Sequence, residues 1–147
     1  MRDLLSNCQM VHLGRVEVSG TTPATSAYVD LQGYDAATLI VTTNAVTDAG
    51  TASGFTITLQ ESDDTTAAGA GTVATTDTVD GANALTVTSD DDDNVVVGGL
   101  SYLGGKRYIG ISVTGTTGSA AFVSIIAHLG RPYEAPTTYV GTAVART

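Results

Sequence analysis

From Phe55 to Gln60 the chain alternates strictly: Phe55, Ile57 and Leu59 fall on one side, Thr56, Thr58 and Gln60 on the other. A repeat of two belongs to an extended strand with one buried face and one wet face; a helix would scatter these residues around its axis. The pattern returns along the chain, each time between residues that make turns. Val11 to Val18 places Val11, Leu13, Val16 and Val18 on an apolar side, with a phase shift at Gly14 that predicts a bulge. Tyr28 to Leu31 is short, and Thr38 to Thr43 is apolar enough at its centre to predict burial on both faces. Leu85 to Thr88 and Val95 to Val97 flank an acidic run, with Gly98-Gly99 read as a loop. From Lys106 to Thr114, Ile109, Ile111 and Val113 oppose Tyr108, Gly110 and Ser112, and Gly115-Thr116-Thr117-Gly118 reads as a hairpin turn into Ala120 to Leu129.

About eight short strands with turns between them predict an all-β fold, an antiparallel β-sandwich of jelly-roll type. Threonine, valine and glycine dominate the residues that build it, as strands and turns require. At 147 residues the chain is one domain. Its predicted parts are an N-terminal arm over 1–10, a sandwich over 11–130 and an extended C-terminal arm over 131–147. Ser62 to Asn83, rich in Thr, Ala, Gly and Asp, is expected to be loops with a weak strand near Thr72-Val73-Ala74. The last arm, with Pro132, Pro136, Tyr133 and Tyr139, has no apolar periodicity and suits packing against a neighbouring chain.

Charge narrows the function. Six Lys and Arg against fifteen Asp and Glu give a formal net charge of −9. Nucleic acid is bound by displacing counterions with basic side chains, and six cannot make a stripe, so a nucleic-acid partner is not expected. An anionic membrane is disfavoured on the same ground, and no apolar run approaches the roughly 20 residues of a spanning helix. The segment from Met1 to Gln9 lacks the apolar centre of a secretory signal, which leads to an expectation of synthesis in a cytoplasm without export by the usual route.

Sites for chemistry are few. Asp90, Asp91, Asp92 and Asp93 offer hard oxygen ligands and are weak candidates for calcium, but an EF-hand loop would need a glycine at its sixth position and a closing glutamate. A solvated loop is the simpler reading. His12 and His128 lie in apolar strand-like segments and read as structural histidines with satisfied nitrogens. Cys8 reads as an inert, buried thiol. No nucleophile elbow, phosphate-cradling loop or Cys/His metal spacing occurs, so neither an enzyme nor a cofactor is expected. Lys106-Arg107, the one adjacent basic pair, either offsets nearby aspartates or faces an acidic neighbour.

Four phrases carry a resemblance: Val29 to Leu39, Phe55 to Asp64, Gly104 to Ile109, and His128 to Pro132. With them the chain, from about Val29 to Pro136, resembles a family of small structural proteins of tailed bacteriophages that includes capsid decoration, or cement, proteins. The resemblance implies a sandwich on the outer surface of the virion head, bound to the major capsid protein and to itself, often as a homotrimer. On that reading Lys106, Arg107, Arg131, Tyr133 and Tyr139 are candidate protein-interaction residues. Two alternatives stand beside it: a head–tail connector or tail protein, and a calcium- or carbohydrate-binding module with Asp90 to Asp93 as ligands.

Overall fold

In the computed structural model, described for residues 7–47, 49, 54–116 and 119–133, ten strands form two antiparallel sheets. Sheet A has the order β1 (Cys8–Ser19), β10 (Ala120–Pro132), β4 (Tyr34–Thr47) and β8 (Val96–Tyr102). Sheet B is built on β9 (Tyr108–Thr114) and β5 (Phe55–Ser62). On the free edge of β9 lie β2 (Ala24–Thr25) and β3 (Val29–Asp30); on the free edge of β5 lie β6 (Gly71–Thr72) and β7 (Ala84–Val87).

Each edge pair serves as one interrupted strand, which leaves eight positions. Their orders are first, last, third, sixth in sheet A and second, seventh, fourth, fifth in sheet B. This is the jelly-roll connectivity, two Greek keys wrapped into a sandwich. The alternation in β5 is used as the sequence demands: Phe55, Ile57 and Leu59 are buried, while Thr56, Thr58 and Gln60 remain half-exposed. Ile109, Ile111 and Val113 join them from β9, and Leu39, Val41, Val123, Ile125 and Ala127 face them from sheet A. Burying each larger aliphatic side chain contributes roughly 1.5–3 kcal/mol. The phase shift at Gly14 is a register shift between His12 and Gly14 where β1 meets β10.

Several expectations need correction. The predicted hairpin after Thr114 is a crossing: β9 pairs within sheet B and β10 within sheet A. Their apolar residues meet across the core, an arrangement that satisfies the same alternation as a side-by-side pair. Thr38 to Thr43 is not buried on both faces, because only Leu39, Val41 and Thr43 turn inward while Thr38, Ile40 and Thr42 remain half-exposed. Its strand is also longer than predicted, since pairing with β10 runs from Tyr34 to Thr47.

Gly98-Gly99 is strand rather than loop, in register with Val41 and Ile40. The predicted sandwich boundaries at Val11 and Gly130 move outward. Cys8 to Met10 pair with His128 to Gly130, β10 continues to Pro132, and the Tyr133 amide donates to the Gly33 carbonyl at 2.9 Å. Within the segment expected to give little to the core, Val73 is fully buried, and its amide donates a hydrogen bond to the Leu59 carbonyl.

A candidate interaction surface at one end of the sandwich

The loops before β4 and before β9 emerge at the same end of the sandwich, beside the last described residue of β10's exit. Between them lies an open cleft of about 490 Å³, lined among others by Leu31, Tyr34, Tyr102, Lys106, Arg107 and Tyr133. Two of its tyrosines are fixed by their hydroxyls. Tyr34 donates to Gln9 Oε1 on β1. Tyr102 donates to Glu61 Oε2 at 2.6 Å and accepts the Lys106 amide at 2.8 Å. Burial, then the bond to Glu61, hold the Tyr102 hydroxyl well above the usual phenol range. Gly104 is required here, because a Cβ at that position would sit 2.5 Å from the Tyr102 hydroxyl.

Tyr133 is the most exposed of the three, at 70%. Its hydroxyl bonds to Asp35, and that bond raises its pKa. A large, flat, amphipathic side chain left out of the core at a cleft mouth is of the type that anchors protein interfaces. Arg131 is also exposed, with φ of +52°, at the turn of chain that delivers Tyr133 to the cleft.

The basic pair is spent on the chain's own carboxylates. Lys106 Nζ meets Asp63 Oδ2 at 2.5 Å. Arg107 grips Asp30 with two bonds, of 2.9 and 2.7 Å, and reaches Gln32 Oε1 at 2.5 Å. The Arg107 guanidinium in turn holds the Asp30 carboxyl below its usual value. Of the two readings of Lys106-Arg107, the structure shows the internal offset. Exposed pairs of this kind contribute little stability; Arg107, through Asp30 and Gln32, joins the two loops that border the cleft.

Of the residues singled out in the sequence, Lys106, Arg107 and Tyr133 are brought together at the cleft, and Arg131 lies at its approach. Tyr139 falls outside the described residues. Tyr34, Tyr102 and Glu61 were missed, although the glycine pairs on either side of Tyr102 mark a place where side chains make room for something.

The acidic run lies at the opposite end, where β7 leads into β8. Asp90 Oδ1 accepts the Ala49 amide at 2.6 Å, and Asp93 Oδ1 accepts the Val46 amide at 2.5 Å. Two of the four carboxylates thus tie the loop to the end of β4. Among the described residues no group of three or more His, Cys, Asp or Glu could hold a metal ion, so the calcium expectation finds no site there. The histidines also need correction. His12 is exposed, and the buried Nε2 of His128 has no hydrogen-bond partner among the described residues.

No known protein family matches this sequence, and no curated protein does. Among solved structures the fold is similar to that of the PBSX exported protein XepA, a phage protein, with a TM-score of 0.52 and 13% identity. The match covers 94% of this chain and 42% of that one, so the chain spans less than half of its neighbour's length. At this identity the likeness is one of fold.

Proposed function

We propose that this chain is a structural protein of a tailed phage, and that it decorates the outside of the virion head. The observation that carries this reading is the cleft end: a rigid jelly-roll frame presents an exposed tyrosine where the chain leaves the sandwich. The fold likeness to a phage protein and the sequence resemblance to decoration proteins point the same way. In this reading Tyr133, Arg131 and the residues that follow contact the major capsid protein. Each copy bridges neighbouring capsid subunits, and repetition over the shell multiplies a modest contact by avidity. The mechanism asks for binding area and stiffness, and for no catalytic group or cofactor.

The test is binding to undecorated phage heads. Tyr133→Ala and removal of residues 134–147 should each leave the melting temperature within about 2 °C of wild type, as surface changes do. Both should weaken head binding at least tenfold. Unchanged binding by both variants would place the contact elsewhere or remove the head as partner. The structural neighbour is an exported protein, which favours a second reading in which this chain also leaves the cell free of particles. Its presence in the medium and absence from purified particles would select that reading.

A further inference from the structure

β8 is an edge strand of sheet A, and from Val96 to Ser101 no described element pairs with its outer side. Only beyond Ser101 is that side met, where Thr78 bridges Tyr102 and the Leu103 amide donates to the Asp77 carbonyl. Edge strands are ordinarily guarded against further pairing by charges, prolines or bulges. Val96-Val97-Gly98-Gly99-Leu100-Ser101 has no charge and no proline. Its register shift, opposite Val41 and Thr42, lies at the start and leaves Gly98 to Ser101 in regular pairing with β4. Apart from Met10, the large aliphatic side chains exposed among the described residues gather here. Val95, Val96 and Leu103 stand at the two ends of β8, and Val79 follows the Thr78 bridge.

We infer that the chain's own tail adds to this edge, with residues 137–144 running antiparallel to β8 as a fifth strand of sheet A. The starting point of the tail decides the direction. Tyr133 lines the cleft together with Tyr102 and Leu103, so the chain leaves the sandwich beside the C-terminal end of β8. Its length suffices: residues 134–147 reach about 46 Å when extended, against roughly 23 Å for the seven residues of β8. Glu134 to Pro136 carry the chain past the Thr78 bridge. Beyond Pro136 no proline interrupts a ladder, and Thr137, Thr138, Tyr139, Val140, Thr142 and Val144 are residue types that strands favour. Charge fits as well. Residues 135–147 carry no carboxylate in a chain of fifteen, and their one charged residue is Arg146. The antiparallel course brings Arg146 toward the start of β8, which the run Asp90 to Asp93 immediately precedes. The other edge of sheet A suits the tail less, because β1 carries Arg15 and Glu17 and its Leu13 carbonyl already accepts the Ala27 amide at 3.3 Å. A strand added to an edge opens without unfolding the sandwich, so a head can draw the tail away, and its loss leaves the melting temperature near that of wild type. The inference concerns the free chain and stands whether or not the chain decorates a head.

Amide hydrogen exchange of the free full-length chain, read residue by residue by NMR, tests this. Along an unpaired edge every second amide points to solvent and exchanges freely, whereas a paired edge protects both sets. In wild type the amides from Gly98 to Ser101 should all be protected. Val140→Pro, which removes a ladder donor from the tail, should speed every second one of them at least ~10-fold and leave those bonded to β4 as they were. Arg146→Glu, a second variant that keeps the backbone donors, should speed the same amides about 2- to 5-fold at low salt and less at high salt. Outward amides that exchange freely in wild type, or that ignore both substitutions, overturn the inference. Faster exchange in β1 instead of β8 places the tail on the wrong edge and overturns it too. Protection that falls on dilution from about 200 to about 10 µM assigns the edge to a second copy of the chain, with the same consequence.

Discussion

Gly54 shows how little freedom some single positions have. Its φ is +65°, and a Cβ there would lie 1.8 Å from the Val87 carbonyl oxygen, far inside contact distance. Gly54→Ala should therefore destabilise the fold by about 2–4 kcal/mol, strain and displacement together, as read from urea unfolding. Tyr102 makes a prediction about pH. Its folded pKa lies above the unfolded value of 10.0, so the neutral phenol is favoured by folding. That contribution is complete below about pH 10 and is lost as pH rises toward the folded pKa. Stability should fall on the alkaline side, and Tyr102→Phe should flatten the decline while costing about 1–2 kcal/mol at neutral pH. An equal alkaline slope in both proteins would contradict the assignment.

Among the elements, the acidic loop and β10 show what the sequence could and could not tell. Four consecutive aspartates announce a charged loop, but not that Asp90 and Asp93 would turn back to bond the Ala49 and Val46 amides. Those partners lie some forty residues earlier in the chain, and no local pattern points to them. Asp93→Ala should cost about 1–2 kcal/mol by exposing an unsatisfied amide. Addition of calcium or a chelator should leave the melting temperature unchanged, since no bound ion would be stabilising the folded form.

The strands themselves were legible because alternation records which face is buried: β5, β9 and the bulge of β1 follow directly from it. Pairing was not legible, because alternation does not say whether two apolar faces sit side by side or across a core. Hence the mistaken hairpin between β9 and β10. The cleft was half legible. Lys106, Arg107 and Tyr133 stand out by residue type, whereas Tyr34 and Tyr102 reach it only through strand register.

Taken together, the jelly roll is a fold of distant pairings. Among the described strands, β5 with β6 is the one pairing between consecutive elements. Loop-closure entropy is spent on every other ladder before its contacts form, so refolding should be slow, in the millisecond-to-second range. Once formed, such a frame holds the cleft residues in fixed relation, as the proposed attachment to a shell requires. The central proposal is attachment to a phage head, and quantitative mass spectrometry of purified phage particles from cells that carry the chain's gene tests it directly. Hundreds of copies per head, accessible to antibody on intact particles, are the predicted result. A ring-like count of about six or twelve would move the chain to the connector or tail, and its absence from particles would contradict the account.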